Sequence, residues 1–144
     1  MTLAQPRRDR VLVRLTLLIL VTCVTAACDQ GERPSNLFLP TWTLQPGAAA
    51  PTGELRGHLD ERNGCLFWSN GSDFLPLWPT ALEIDRDELT IETTSGDVLA
   101  IGDGGILVGG ERTLEQAESL IGEQIPSRCQ AVGGYWMVTE VTMQ

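Results

Sequence analysis

The residues that can do chemistry are few and lie far apart in the chain. His58 is the only histidine, so a Ser-His-Asp triad or a multi-histidine metal site would depend on this one side chain. Strict alternation from Glu54 to Asp60 places His58 on the solvent face of a predicted strand. We therefore interpret His58 as a surface histidine, and we assign no catalytic residue.

Carboxylates supply two further candidate sites. Asp60 and Asp103 would suit glycoside hydrolysis if one of them were buried and its pKa raised. Asp85, Asp87 and Glu88 offer the oxygen ligands that Ca²⁺ prefers, but they lack the spacing of an EF-hand loop. The acidic group at Asp85, Asp87 and Glu88 therefore favours a solvated turn before a strand. A carboxylate-based hydrolase of the cell envelope and a Ca²⁺-binding surface domain stay open as alternative functions, and no metal or cofactor is assigned.

The glycine-rich run from Gly102 to Gly110 does not predict a nucleotide site. Phosphate-binding loops precede a helix and carry a lysine, whereas this run leads into an apolar strand at 106–108 and the chain has no lysine. We expect Gly102–Gly105 to form a turn and Gly109-Gly110 to end the strand, with the glycines also allowing close packing in a barrel.

Aromatic residues on predicted strands next to the cysteines form the binding candidate. Phe67 and the residue after it point to opposite faces of a strand, so we expect at least one tryptophan to be exposed or half-exposed. An exposed group would give a platform for a glycan or an extended peptide, and the alternative is core packing around a disulfide. The candidate binding residues are Trp68, Trp78, Tyr135 and Trp136.

The first 27 residues have the three parts of an export signal. Arg7, Arg8 and Arg10 form a basic region, an apolar stretch follows from Leu15, and Ala26-Ala27 supplies small residues before a cleavage point. The apolar stretch from Leu15 to Ala27 is 13 residues long. A transmembrane helix needs roughly 20. Residues 1–27 are therefore predicted to be a signal peptide.

The segment Val24-Thr25-Ala26-Ala27-Cys28 resembles a bacterial lipobox. The resemblance implies that the Cys28 thiol is diacylated and that Cys28 becomes the first residue of the mature chain, on the extracytoplasmic face of the cell membrane. The cysteine count agrees with this reading, because Cys23 leaves with the signal and Cys28 takes lipid. Cys65 and Cys129 then remain as an even pair for one disulfide.

The body of the protein is strongly acidic. From residue 28 onward it has six arginines against eighteen acidic residues, a net charge of −12. Such a surface repels phosphate backbones and anionic headgroups, which excludes nucleic-acid binding and electrostatic adsorption to membranes. A covalent lipid anchor would hold the protein at the membrane despite this charge, because each CH₂ of the acyl chains that is buried in the bilayer contributes about 0.8 kcal/mol to membrane binding.

Residues 28–52 are predicted to be the lipidated cysteine and a flexible tether, because they contain four prolines and no sustained periodicity. The part from Leu37 to Leu44 is too apolar for a simple spacer. It either docks on the domain as an extra edge strand, lies near the lipid surface, or forms a partner-binding peptide.

Residues 53–144 predict one all-β domain, a small OB-like barrel or sandwich of about six to seven short strands with one short helix. Asn70-Gly71 predicts a hairpin between strands at 65–69 and 74–78. Pro76 has no N–H, so the second of these strands should be an edge strand or be broken there.

A capping box predicts the helix. Thr113 and Gln116 have the spacing in which each side chain accepts from the other residue's N–H, and Gly122 ends the segment. The helix Leu114–Ile121 should cover an open end or seam of the sheet with its apolar face.

Five short blocks in the predicted domain are similar to a group of small secreted or lipid-anchored bacterial proteins without an established activity. The resemblance implies a fold and a location and supplies no catalytic residue. We expect an envelope-anchored, non-enzymatic interaction module, a monomer whose partners are the membrane, through its anchor, and an envelope protein or cell-wall component. The blocks are Gly64–Trp68, Leu75–Pro79, Gly102–Gly110, Ile125–Cys129 and Tyr135–Val138.

Overall fold

The computed structural model describes residues 36–131 and 133–143, and this part of the chain holds nine strands and one α-helix. The all-β prediction is confirmed, with more strands than the six or seven expected. The strands are β1 (Thr41–Trp42), β2 (Gly53–Arg62), β3 (Cys65–Ser69), β4 (Asp73–Pro79), β5 (Glu83–Asp85), β6 (Thr90–Glu92), β7 (Val98–Leu99), β8 (Gly104–Arg112) and β9 (Gly134–Met143); the helix α1 is Leu114–Ile121, and Ser127–Cys129 is a 3₁₀ helix.

Five strands close into a barrel in the order β2-β3-β4-β9-β8, with β8 returning to β2. All neighbours are antiparallel except β4 and β9, which run parallel. A closed barrel leaves none of these five strands as a free edge. This is the small barrel that the pattern of short strands predicts.

The barrel interior is built around Trp68, whose side chain is fully buried. Its indole N–H donates to the Leu55 carbonyl at 3.0 Å, which satisfies the one polar atom of the ring. The ring lies across Gly57, where an added Cβ would stand 2.6 Å from the indole nitrogen. Glycine at position 57 therefore allows the large ring to fill the interior.

A second, three-stranded sheet of β5, β6 and β7 packs against this interior. Ile91 of β6 and Leu99 of β7, with Leu82 directly before β5, bury their side chains in the same cluster as Trp68. This small sheet therefore contributes to the interior core. The helix packs on the outside of the barrel, over the β4–β9 pair at which the sheet closes, which agrees with the prediction that it covers a seam of the sheet.

The helix lies on the outer face of β3, β4 and β9. Outward-pointing apolar side chains of these strands form a second buried cluster with Ala117 of α1 and Trp42 of β1. The capping box of the helix and its Gly122 end are present as predicted. The members contributed by the barrel strands are Cys65, Phe67, Leu75, Leu77, Tyr135 and Met137.

The predicted hairpin of β3 and β4 is confirmed, and Pro76 lies where its missing N–H does no harm. On one side β4 pairs with β3 at Phe74 and with β1 at Trp78. The Trp78 N–H donates to Pro40 O at 2.9 Å on that side, and alternation places the Pro76 nitrogen there too, between the two partners. The ladder is broken at Pro76 as predicted, but β4 is not an edge strand.

The glycine-rich run lies largely inside β8. The predicted turn at Gly104 and Gly105 and the predicted strand end at Gly109 are wrong, because all three residues pair within the barrel. A Cβ on Gly105 would stand 2.6 Å from the Thr142 carbonyl oxygen. Gly105 therefore allows the close approach of β8 to β9. Further along the same pair of strands, the register shifts between Val108 and Gly109.

The segment that precedes the predicted domain docks on it. Phe38 donates its N–H to Gly64 O at 2.8 Å, and β1 pairs in parallel with β4. The Trp42 indole N–H lies 3.0 Å from Leu77 O and 3.1 Å from Val138 O, and the side chain is only 4% exposed. The domain therefore begins before residue 53. Of the alternatives for Leu37–Leu44, the structure shows the extra edge strand docked on the domain, and its apolar side chains complete the outer cluster.

The predicted disulfide joins Cys65 at the start of β3 to Cys129 in the 3₁₀ helix, with 5.5 Å between their Cα atoms. Both residues are fully buried in the outer cluster. The bridge closes a chain separation of 64 residues. It therefore ties the connection between α1 and β9 to the barrel wall.

Replacing Trp42 by alanine should lower the free energy of unfolding by about 3–5 kcal/mol, because it removes a buried indole and leaves a cavity in the outer cluster. Leu44→Ala, on the same segment but 49% exposed, is the matched control and should change stability by less than about 0.5 kcal/mol. Urea unfolding curves measure both. Equal effects of the two substitutions would show that the segment is not docked.

Removing the disulfide with the double substitution Cys65→Ala and Cys129→Ala should cost about 4 kcal/mol of stability in the chain-entropy model for a loop of this length. The measurement is the denaturation midpoint of the double variant against the oxidised parent. An unchanged midpoint would contradict the structural role of the bridge.

Candidate functional site

An open groove lies between the end of the docked segment, the end of β8 and the first turns of α1. Its volume is about 890 Å³. A second groove adjoins it and shares Arg112, Thr113 and Gln116. The first groove is lined by Thr43, Gln45, Arg112, Thr113, Glu115, Gln116, Ser119, Leu120 and Met137.

Arg112 is the cationic group of both grooves. It is the last residue of β8, and its guanidinium donates to Glu111 O at 2.7 Å and contacts the Met137 sulfur at 3.5 Å. No carboxylate of the described residues lies within 4.0 Å of its nitrogens. Two of its five N–H donors are used by these contacts, which leaves donors for a ligand.

The start of α1 holds the polar wall of the groove in place. Thr113 Oγ1 accepts from the Gln116 N–H at 3.3 Å, and Gln116 Oε1 accepts from the Thr113 N–H at 3.1 Å. The reciprocal bonds fix the Gln116 side chain and leave its NH₂ group as a donor. Ser119 follows one turn later, so hydroxyl and amide groups line the groove above Leu120 and Met137.

The groove presents groups that can bind a polar ligand. Hydroxyl, amide and guanidinium groups and the Glu115 carboxylate lie over a small apolar floor and suit hydrogen bonding to an extended polar ligand. The lining contains no histidine or cysteine. In residues 36–131 and 133–143, no group of three or more His, Cys, Asp or Glu side chains is placed to hold a metal ion.

A second polar cluster centres on Arg62 at the end of β2. Its guanidinium lies 2.5 Å from Asp73 Oδ1 and 3.0 Å from Asp60 Oδ2, and it stacks 5.3 Å from the Phe67 ring centroid. The Ser69 hydroxyl donates to the same Asp73 oxygen at 2.7 Å. The cluster ties β2 to the β3–β4 hairpin and covers one side of the outer apolar cluster.

The hydrogen bonds from Arg62 and Ser69 hold the pKa of Asp73 below its ordinary value, and hydrogen bonding to Asp73 raises the pKa of Arg62. A general acid for glycoside hydrolysis needs the opposite shift, a raised carboxyl pKa. The cluster therefore has the electrostatics of a structural ion pair. Burial raises the pKa of the Tyr135 hydroxyl.

The predicted aromatic platform is not present at the surface. All four candidates are buried, so the prediction that at least one tryptophan is exposed is wrong. Both faces of these strands are covered, the inner by barrel closure and the outer by α1 and the docked segment. The exposed fractions are 0% for Trp68, 0% for Trp78, 6% for Tyr135 and 9% for Trp136.

Two of these rings have polar atoms without a partner in the described part of the chain. The indole N–H groups of Trp78 and Trp136 find no acceptor there, and an unpaired buried donor costs about 1–3 kcal/mol. Trp136 is held instead by an edge-on contact with Phe74, with ring centroids 6.3 Å apart. These side chains serve packing.

The other candidates lie apart from the groove. His58 is exposed on β2, as predicted. Asp60 pairs with Arg62, and Asp103 accepts from the Ala100 N–H at 2.8 Å, so neither is an unpaired buried acid.

The predicted solvated turn before β6 is observed. Asp85 Oδ1 accepts from the N–H groups of Asp87 and Glu88 at 2.8 and 2.9 Å, and all three residues are exposed. One carboxylate oxygen of Asp85 thus stabilises the turn, so this acidic group has a structural role there.

Comparisons with known proteins identify no relative: no family model, no curated protein and no solved structure matches the chain. The predicted signal peptide and Cys28 lie outside the described residues. Within the described ranges, no helix combines the length and the apolar character needed to cross a bilayer.

Sequence reasoning did not identify the Arg112 groove. Thr113 and Gln116 are recognisable from sequence as a capping box, and an arginine directly before such a box was the available signal. The remaining wall comes from Thr43 and Gln45, which are about 70 residues away in the chain and join the site only because their segment docks.

Replacing Asp73 by asparagine should remove part of the acid sensitivity of the fold. The folded-state pKa of Asp73 is depressed, so its contribution to stability is complete above the unfolded pKa of about 3.9. That contribution falls as pH drops below this value and is lost once pH passes the folded pKa.

Urea midpoints measured from pH 6 to about pH 2 test this prediction. The difference between parent and Asp73→Asn should be largest near neutral pH and should shrink below about pH 4. Glu92→Gln, an exposed acid on β6, is the control. A difference that stays constant with pH would contradict the assignment.

Proposed function

We propose that this protein is a lipid-anchored, non-enzymatic binding module of the cell envelope that uses the Arg112 groove as its ligand surface. The observation that carries the proposal is the groove itself, a polar concavity whose Arg112 has no carboxylate of residues 36–131 and 133–143 within 4.0 Å of its nitrogens. Its donors are held by the fold, so a ligand does not have to order them.

The structural use of the other candidate groups supports a binding role. The tryptophans fill the two cores, the cysteines form the disulfide, and Asp73 forms an ion pair. An acyl-transfer or hydrolytic site needs an activated nucleophile or a carboxyl group with a raised pKa. In the groove, the hydroxyl of Thr43 bonds to Thr80 and that of Thr113 accepts from the Gln116 N–H, so neither pairs with the Glu115 carboxylate, which favours binding over catalysis.

The anchor part of the proposal rests on the lipobox resemblance at Cys28 and on the charge of the body. A mature chain with a net charge of −12 gains nothing from contact with anionic lipid. The disulfide between Cys65 and Cys129 uses both cysteines of the domain. Cys28 is then the one remaining cysteine after the predicted cleavage point, as an acylation site requires.

The surface also supports a monomer. Large exposed apolar side chains in the described ranges are Leu44, Val98 and Ile101. Three such residues form no extensive apolar surface of the kind that obligate dimers bury. A partner is therefore expected to bind through the polar groove.

Photo-cross-linking in intact cells tests the binding role. A photoreactive amino acid at Ser119, in the groove, should capture a partner that the same amino acid at Thr94, an exposed turn residue, does not. Arg112→Gln should weaken that partner's binding about 10- to 100-fold, since a hydrogen bond to a charged group contributes roughly 1.5–3 kcal/mol.

A Cys28→Ala variant carrying the Ser119 probe separates anchor from groove. Loss of the partner in this variant, with binding by the isolated soluble domain retained, supports both parts of the proposal. Identical capture patterns from Ser119 and Thr94 would exclude the groove as the ligand surface.

A further inference from the structure

The chain enters the folded domain at one corner, which we call the entry corner and define by Asn36, Asn63, Gly64 and Arg128. The Arg128 guanidinium donates to Asn36 O at 3.1 Å and to Asn63 O at 3.2 Å. Two residues later Phe38 bonds to Gly64 O. The entry corner therefore lies at the β2–β3 turn, beside the 3₁₀ helix that carries the disulfide.

Docking shortens the free chain between the predicted anchor and the domain. Seven residues, 29–35, separate Cys28 from Asn36, and a fully extended chain of that length spans at most about 28 Å. A tether running undocked to Gly53 would span at most about 85 Å. The docked segment thus removes about two thirds of the possible reach.

The docked segment has the contacts to keep the tether short. Trp42 is almost completely buried and donates to two main-chain carbonyls, and Phe38 and Trp78 add main-chain bonds at its two ends. Releasing it would expose the apolar side chains of β3, β4 and β9 that it covers. The predicted tether therefore extends no further than Asn36.

We propose that the entry corner faces the lipid headgroups and is held less than one domain diameter from the membrane surface; this rests on the acylation of Cys28 in the proposed function. A domain of about 110 residues has a radius of gyration near 13 Å, hence a diameter of roughly 35 Å. Its far side then reaches at most about 65 Å from the bilayer. Ligands of the groove lie inside this layer.

The acidic body makes the short tether significant. A net charge of −12 opposes approach to anionic lipid, and that repulsion acts over a Debye length of about 8 Å at physiological salt. The covalent limit of about 28 Å holds the domain near the membrane regardless. Arg128 places one cation at the corner nearest the anchor.

Energy transfer to the membrane tests the geometry with the full acylated chain. A clickable amino acid at position 127, an exposed residue of the 3₁₀ helix, carries a fluorescent donor. Phosphatidylcholine vesicles with a trace of rhodamine-headgroup lipid carry the acceptor. Two variants receive the same flexible Gly/Ser insertion of roughly 20 residues, one between Ser35 and Asn36 and one between Ala49 and Ala50.

The two insertions lengthen the chain on opposite sides of the docked segment. Transfer should stay at the parent level for the insertion after Ala49 and fall at least two-fold for the insertion after Ser35. Equal losses in both variants would show an undocked tether, and no loss in either would show that the tether does not set the distance. Either result overturns the proposal.

Vesicle flotation separates this proposal from the anchor. If the acylated chain floats with vesicles and Cys28→Ala does not, the transfer data judge the geometry alone. If neither floats, or the mature protein has no added acyl mass, the anchor fails and this inference fails with it, while the groove is unaffected.

Discussion

Burial of the outer face of β3, β4 and β9 is the constraint on which the rest of the structure depends. Barrel closure covers the inner face of these strands, but their outward residues Phe67, Leu75 and Leu77 are also apolar. A strand that is apolar on both faces needs two covers. The chain supplies the second cover from three distant pieces: the segment around Trp42, the helix α1 and the disulfide-linked 3₁₀ helix.

The position of the candidate site follows from this second cover. The groove forms where two of the covering pieces, the docked segment and α1, meet the end of β8 beside Arg112. Its floor, Leu120 and Met137, belongs partly to the outer cluster. Binding surface and core therefore share residues, and loosening the docked segment would remove one wall of the groove.

The same cover limits the geometry of the proposed anchor. Segment 36–44 is a part of the core and a wall of the groove, and it directly follows the predicted tether. Because Trp42 fixes this segment to the carbonyls of Leu77 and Val138, the free length of chain is set by core packing. An apolar segment that docks on the domain can thus limit the distance between the domain and a membrane anchor.

Local rules were enough for several elements. Asn70-Gly71 determined the hairpin, Thr113 with Gln116 and Gly122 determined both ends of α1, and cysteine parity determined the pairing of Cys65 with Cys129. These features depend on turn conformation, capping bonds and residue counts, which act over a few residues or none. The prediction that nucleic acid is not a partner also comes from sequence alone, because the net charge on which it rests does not depend on the fold.

Tertiary structure decided what lies inside and outside. Alternation shows that Phe67 and Trp68 point to opposite faces, but it does not show that both faces are covered, so the exposed tryptophan was a wrong prediction. Gly105 lies in a strand because Thr142 approaches it, and Pro76 is tolerated in a central strand because its nitrogen falls between two partners. The groove joins residues about 70 positions apart. These outcomes depend on which distant segments pack together. That packing is set by the apolar area buried across the whole domain, and it produces no local periodicity in the sequence.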